Sequence, residues 1–341
     1  MSVKFEQLVD ILKGHRVFIQ THNCPDPDAM TSAYGLQYLL KAKGIESKLV
    51  YDGVISKFSD FRLIDYAKME IYYAGDLELY DEDYIVIVDA QKYNENCTDL
   101  TGEEVACIDH HPTVVECEEY KYKDVRMVGA CSSIIADYFI EAGVELDPMV
   151  ATLLLYGIKM DTLDFTRGVT ELDVKMYYLL FKYADHEFLA QMQVNQIDFK
   201  DLRAYGAAID NISLYRDIGY ACIPFDCPNG LIAIISDFIL ALEQVTFSVV
   251  YAVREEGYKF SVRSEREDLD AGQIVRSALQ QRGMNGNGGG HSFMAGGFLP
   301  TEDTLKLGED PRKELEKIFD TIIYPGDEDY EKNTIYIKTA D

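Results

Sequence analysis

Three continuously apolar runs each end in acids or histidines, and this repetition limits the fold more than any other feature of the 341 residues. Val17-Phe18-Ile19 leads to His22, Asp26 and Asp28. Tyr84-Ile85-Val86-Ile87-Val88 leads to Asp89, and Val105-Ala106-Cys107-Ile108 leads to Asp109, His110 and His111. Short apolar runs without alternation are what strands buried on both faces of a parallel sheet look like. The carboxyl ends of such strands share one edge, where ligands bind in open α/β sheets. One acid after a strand is commonplace. Three strands delivering Asp and His to a common edge imply a cation among them, because clustered carboxylates otherwise repel one another.

The stretch His22-x-x-x-Asp26-x-Asp28 joins the first run to a helix expected over Ala29 to Lys43, whose apolar face carries Ala29, Met30, Ala33, Tyr34, Leu36, Leu39 and Leu40. Asp28 takes the N-cap position of that expected helix. Alone, the stretch would read equally well as a polar loop with a capping aspartate. The other two strand ends favour half of a metal site. Pro148 to Met160 reads as an almost wholly apolar core helix, and it too ends in a carboxylate, Asp161.

The pattern along the chain is α/β. Residues 1–190 read as a parallel-sheet domain with helices on both faces, and 191–214 as a helical connector. Residues 215–325 read as a smaller α/β domain, and 326–341 as an acidic tail. Within the smaller domain, Asn285-Gly286-Asn287-Gly288-Gly289-Gly290-His291 is too rich in glycine for a helix or strand interior. It is expected to be a loop whose backbone N–H groups and terminal imidazole can approach an anion. Ser261-Val262-Arg263-Ser264 ends a strand in a guanidinium, the group suited to bidentate recognition of phosphate.

A formal charge of −27, from 32 basic and 59 acidic side chains, opposes long nucleic acids, whose binding depends on basic neutralisation of phosphates. Small phosphorylated ligands in a local basic pocket remain compatible with it. Seven cysteines without a C-x-x-C pair suit reduced thiols and argue against a structural zinc site. No apolar run approaches the ~18 residues of a membrane span, and the N-terminus lacks the features of a signal peptide. The expectation is a cytoplasmic protein with no membrane partner.

Together, the His22-x-x-x-Asp26-x-Asp28 stretch, Asp89, Asp109-His110-His111, Asp161, Arg263-Ser264 and Gly288-Gly289-Gly290-His291 resemble the DHH family of phosphoesterases, in the branch carrying a DHHA1 C-terminal domain. The resemblance implies an N-terminal DHH domain with two divalent metal ions, manganese first, with magnesium or cobalt as alternatives. Mixed carboxylate and imidazole ligands suit manganese on chemical grounds as well. By position, His22, Asp26 and Asp89 would hold one ion, and Asp28, Asp89, His110 and Asp161 the other, with Asp89 bridging. A shared water, activated as hydroxide, would attack phosphorus. Asp89, His110, His111 and Asp109 form the implied catalytic set, His111 steadying the phosphoryl oxygens and Asp109 orienting its neighbours. His111, Arg263, Ser264, Gly288, Gly289, Gly290 and His291 would bind the substrate.

In layout the chain is most similar to family members that degrade nanoRNA and dephosphorylate 3′-phosphoadenosine 5′-phosphate. The implied substrate is a small phosphorylated nucleotide or short oligonucleotide, linear di-adenylate included, and a homodimer is compatible with this. The alternatives are an exopolyphosphatase, a pyrophosphatase-like enzyme and a non-catalytic nucleotide or metal sensor. The Arg-Lys-Lys stretch of the pyrophosphatases does not occur here. Asp164 departs from the pattern and adds an acid close to the expected site.

Overall fold

The apolar runs form the middle of a six-stranded parallel sheet. In the computed structural model, residues 4–55, 58–94, 96–113, 115–194, 197–290, 292–326 and 334–336 are described. The chain divides into two units, Met1–Gln196 and Ile197–Asp341.

The first unit runs α1 (Lys4–Leu12), β1 (Val17–Gln20), α2 (Pro27–Ala42), β2 (Ser47–Tyr51), α3 (Phe58–Ala67), β3 (Ile71–Tyr73), β4 (Tyr84–Val88), β5 (Glu103–Asp109) and β6 (Tyr122–Val125). Four helices follow: α4 (Cys131–Ala142), α5 (Pro148–Asp161), α6 (Glu171–Phe181) and α7 (His186–Val194). The strand order is β3-β2-β1-β4-β5-β6, and every neighbour pair is parallel. From β1 the chain steps through α2 to β2 on one side, whereas β4, β5 and β6 proceed to the other. The β1/β4 boundary is therefore a topological switch point, and in open α/β sheets ligands bind beside the carboxyl ends of the strands at such a point.

Burial explains why these strands carry no polar residues in their middles. Ile19, Val86 and Val88 are buried in one core with Met30 and Leu36 of α2, Ile134 of α4 and Leu154 of α5. A Cβ at Gly35 would lie 2.9 Å from Leu154 Cδ2, so a glycine in α2 lets α5 pack closely. On the other face Ile85, Ile87 and Ala90 pack with Cys97, Leu100 and Tyr120.

One local expectation is corrected here. The N-cap of α2 is Asp26, not Asp28, and its Oδ1 accepts from Ala29 N at 3.0 Å. Proline lacks an N–H and has φ preset for the first helical position, so Pro27 starts the helix and moves the cap one residue ahead of it. Asp28 is left inside the first turn, buried, with its carboxylate turned elsewhere.

The second unit runs α8 (Leu202–Asp210), β7 (Ile212–Tyr215), β8 (Ile218–Ile223), α9 (Asn229–Leu240), β9 (Phe247–Val253), β10 (Gly257–Ser264), α10 (Ala271–Leu279), β11 (Asn287–Gly290), β12 (Met294–Pro300), α11 (Thr301–Thr304), α12 (Pro311–Ile323) and β13 (Thr334–Tyr336). Its sheet order is β11-β12-β10-β9-β8-β7-β13, antiparallel except for the β8–β9 pair. The helical reading up to Leu214 ends early, because Ile212–Tyr215 pairs with β8.

The glycine run is a second correction. Asn287–Gly290 is an edge strand paired with β12, not a loop. Close packing of α10 accounts for this use of glycine: a Cβ at Gly288 would meet Val275 Cγ1 at 2.6 Å, and one at Gly272 would meet Gly290 O at 2.7 Å. Side chains at these positions would push the helix off the strand. His291, the last residue of that motif, lies outside the described residues.

Candidate metal centre

His22 stands two residues beyond β1, Asp89 directly follows β4, and Asp109 closes β5. Strand pairing alone therefore brings them to one edge, at the switch point. Asp89 has φ of +60°, a left-handed conformation that costs a non-glycine residue about 1–3 kcal/mol. Its N–H donates to Ile108 O at 2.9 Å, which ties the turn after β4 to the neighbouring strand.

Two imidazoles are aimed by backbone carbonyls. His22 Nδ1 lies 3.0 Å from Asn23 O, and His110 Nδ1 lies 3.0 Å from Val128 O. A carbonyl oxygen only accepts, so each Nδ1 carries the hydrogen and each Nε2 faces the acids. His22 Nε2 is 3.7 Å from Asp89 Oδ2 and 3.8 Å from Asp26 Oδ1. His110 Nε2 is 3.2 Å from Asp89 Oδ1 and 3.2 Å from Asp161 Oδ2. The ligand atoms form three overlapping groups, each within 4.8 Å: His22, Asp26 and Asp89; Asp28, His110 and Asp161; Asp89, Asp109, His110 and His111.

The electrostatics are those of crowded acids. Burial, with the charges of Asp89 and Asp26, lifts the Asp161 carboxyl to about 6 despite His110 beside it. Burial, Asp89 and Asp161 push Asp28 well above the carboxylate range. Burial would lower His22, but its contact with Asp26 and the charge of Asp89 outweigh this and raise it to about 10. His110 is likewise raised, with Asp89 and Asp161 overcoming its burial. Asp89 Oδ1 is buried and receives no hydrogen bond. A buried carboxylate oxygen without a hydrogen-bond partner, facing His110 Nε2, fits a divalent cation.

The remaining expected residues divide into those beside this group and those elsewhere. Asp109 is fully buried; its Oδ1 accepts from His111 Nδ1 and His110 N at 2.8 Å each, and its Oδ2 accepts from Gln91 Nε2 at 2.7 Å. Burial would raise Asp109, yet His111 and Gln91 together hold it below its ordinary value. Asp164 does not join the group. Its carboxylate is 57% exposed and bridges to Lys159 Nζ at 2.5 Å, because Leu163, Asp164 and Phe165 all turn through positive φ.

Three further residues at the site went unread in the sequence. Gln91 also donates to His111 O at 3.0 Å. Arg167 Nη2 donates to Asp161 O at 2.7 Å, which places a cation behind a candidate ligand. Asp173 bonds to the segment between β6 and α4. Gln91 follows Asp89 by two residues and Arg167 follows Asp161 by six, but no local pattern marks either; Asp173 acts across a fold of the chain.

In the second unit, Arg263 Nε donates to Asp237 Oδ1 at 2.7 Å and Nη1 to Ser261 Oγ at 3.0 Å. Ser264 is buried, and its Oγ accepts from Arg266 N at 3.0 Å. A cavity of about 360 Å³ is lined by Asn229, Lys259, Ser261, Arg263, Gly290 and Gly296 among others, so Arg263 and Gly290 share one pocket. Gly288 and Gly289 are not among its lining residues. A wider cavity, of about 1040 Å³, lies at the amino end of β1 and β2 in the first unit and contains none of the ligand groups.

Residues 16–158 match the N-terminal domain of the DHH family, and residues 217–321 match the DHHA1 domain. The chain belongs to the DHH family. An uncharacterized protein of Methanocaldococcus jannaschii is 27% identical over 286 residues, or 83% of this chain and 58% of that protein. A probable manganese-dependent inorganic pyrophosphatase of Streptococcus pyogenes is 30% identical over 152 residues, or 43% of this chain and 49% of that protein. This DHH chain thus spans about half the length of these curated relatives. The solved structure of an exopolyphosphatase-related protein from Bacteroides fragilis superposes with a TM-score of 0.73 at 18% identity, covering 94% of this chain and 96% of that one. At that identity the likeness speaks for the DHH–DHHA1 fold.

Proposed function

We propose that this chain is a two-metal phosphoesterase acting on short phosphorylated nucleotides: nanoRNA, linear di-adenylate or 3′-phosphoadenosine 5′-phosphate. The observation that carries the reading is Asp89, whose two oxygens face His22 on one side and His110 on the other. It belongs both to the group with Asp26 and to the group with His110 and His111, as a bridging carboxylate would. His22, Asp26 and Asp89 would hold one ion, and Asp28, Asp89, His110 and Asp161 the other. Two divalent cations, manganese by the mixture of donors, would polarise phosphoryl oxygens and lower the pKa of water.

The chain's own residues supply position. Asp109 fixes the His111 ring through Nδ1 and the His110 backbone through its N–H, and Val128 O orients the His110 ring, so both imidazoles are set before a substrate arrives. His111 is suited to donate toward a phosphoryl oxygen as charge develops there. In the second unit, Arg263 and Lys259 line a cavity whose size suits one nucleotide, which supports a nucleotide over a bare inorganic phosphate. The partner is accordingly a small phosphorylated nucleotide or short oligonucleotide. No helix among the described residues is long and apolar enough to cross a membrane.

A panel assay with manganese tests this, comparing pApA, cyclic di-AMP, 3′-phosphoadenosine 5′-phosphate, short RNA, pyrophosphate and polyphosphate, with Asp89→Asn as control. Asparagine tolerates the left-handed conformation, so the fold should survive while turnover nearly vanishes. Turnover confined to polyphosphate or pyrophosphate would overturn the nucleotide assignment. Full activity in a folded Asp89→Asn protein would remove the two-metal reading altogether.

A further inference from the structure

We propose that Asp173, which lies outside every group of candidate ligands, positions one of the two ion sites and leaves the other alone. The proposal rests on the two-ion reading above. Asp173 is in the first turn of α6 and is fully buried. Its Oδ2 accepts from Thr170 N and Thr170 Oγ1 at 2.7 Å each, which serves the start of its own helix. Two further bonds do nothing for α6. Gly129 N donates to Oδ2 at 2.8 Å, and Ser133 Oγ donates to Oδ1 at 2.6 Å. They clamp the segment that runs from β6 into α4.

That segment bonds two members of the Asp28, His110 and Asp161 group and packs against the residue that follows the third. Val128 O takes the hydrogen of His110 Nδ1 at 3.0 Å. Cys131 N and Ser132 N donate to the Asp28 carboxylate at 2.6 and 2.9 Å. Gly129 packs against the residue after Asp161, since a Cβ there would lie 2.7 Å from Thr162 Cγ2 and 2.8 Å from Asp173 Oδ2. One carboxylate thus fixes the height of a backbone segment that aims two ligands and abuts Thr162, the neighbour of a third. The other group is held from its own loop, His22 by Asn23 O and Asp26 through Ala29 N. Loss of Asp173 releases the first group and not the second.

Partners of metal ligands typically govern affinity by about 10- to 100-fold. Manganese binding to the full chain, followed by calorimetry and by the spin-resonance signal of free Mn²⁺, should resolve two ions in the wild type. Asp173→Ala should weaken one of them by about 10- to 100-fold and leave the other unchanged. Asp173→Asn should restore it, because the amide oxygen still accepts from Gly129 and Thr170 while the amide nitrogen can donate to Ser133 Oγ. If Asp173→Ala does not fold, Ser133→Ala removes one bond, spares the start of α6 and should show the same selective loss in smaller measure. Equal weakening of both ions, or of neither, overturns the positioning role. A wild type that binds fewer than two ions removes the two-ion reading and the role of Asp173 with it, and that failure shows in a different sample.

Discussion

The carboxylate of Asp28 accepts from Cys131 N at 2.6 Å, across 103 residues of chain, and from Ser132 N at 2.9 Å. The N-cap residue of α4 is Ala130, which has no side-chain acceptor, so a residue of α2 caps α4 in its place. A helix N-terminus favours negative charge, which opposes the upward push that burial, Asp89 and Asp161 exert on the Asp28 carboxyl. Asp28 is therefore both the start of one helix and a member of the ligand cluster. Asp28→Ala should weaken ion binding and also expose the start of α4. Loss of a cap is worth about 1 kcal/mol, so amide exchange at Cys131 and Ser132 should quicken roughly fivefold even in chelator. Unchanged exchange at those two amides would show that the cap is supplied by other means.

Much of this site is legible because it is local. Buried parallel strands are written as unbroken apolar runs, and His22, Asp89 and Asp109 follow them directly, so the strand ends and their grouping can be read together. Asp161 can be read for the same reason, as the last residue of a core helix. The cap of α2 was legible in principle, since Asp26-Pro27 carries the signal of a proline at the first helical position. The contacts that orient the ligands were not. Gln91 reaches Asp109 across 18 residues, and Asp173 reaches Gly129 across 44. The glycines of β11 serve the approach of α10, a tertiary fact with no local signature, and so they read as a loop.

Arg263 offers a way to separate grip from chemistry. It lies in the second unit and lines a cavity that holds none of the ligand groups. Arg263→Lys keeps the charge but loses the planar fork. A charged hydrogen bond to phosphate is worth about 1.5–3 kcal/mol, so kcat/KM for dinucleotides should fall about tenfold to over a hundredfold. Hydrolysis of bis-p-nitrophenyl phosphate should change far less. Equal loss on both substrates would assign Arg263 to the chemical machinery or to the fold.

Acid stability should depend on Asp124. Burial would raise this carboxyl, but hydrogen bonds from Arg126, Lys4 and Tyr138 hold it below its ordinary value. Arg126 meets it through Nε and Nη2 and also bonds Asp137 Oδ2 at 2.7 Å. A carboxylate with a depressed folded pKa stabilises the protein above its unfolded pKa of about 3.9 and loses that contribution as pH falls through the folded value. Above pH ~5, Asp124→Asn should unfold more easily by roughly 3 kcal/mol, because Arg126 keeps its charge without its main partner. The gap should close as pH falls below about 4. Urea melts at a series of pH values measure it, and a gap independent of pH would show that packing, not charge, is what the substitution removes.

The last prediction concerns substrate length, and follows from the charge of −27. Each phosphate added to a substrate that outgrows the binding site meets that field. Where a long-strand nuclease gains counterion release, this surface offers repulsion. Six cations do gather around the wider cavity, at Lys13, Arg16, Lys41, Lys43, Lys48 and Lys68. They sit where β1 and β2 begin, whereas the strand-borne candidate ligands sit where β1, β4 and β5 end. Several are already answered, Lys13 by Asp10 at 2.7 Å, Lys43 by Glu6 at 2.6 Å and Lys68 by Asp65 at 2.7 Å. They make no track leading from the candidate metal centre. The value of kcat/KM should therefore be highest for dinucleotides or nucleoside bisphosphates and fall steadily through pentamers to twentymers. Salt should narrow the difference, because screening relieves a repulsion that only long substrates feel. A rate that rises with length, or long-strand binding that weakens steeply with salt, would mean that the basic cluster does guide a strand, and the chain would then be read as an exonuclease.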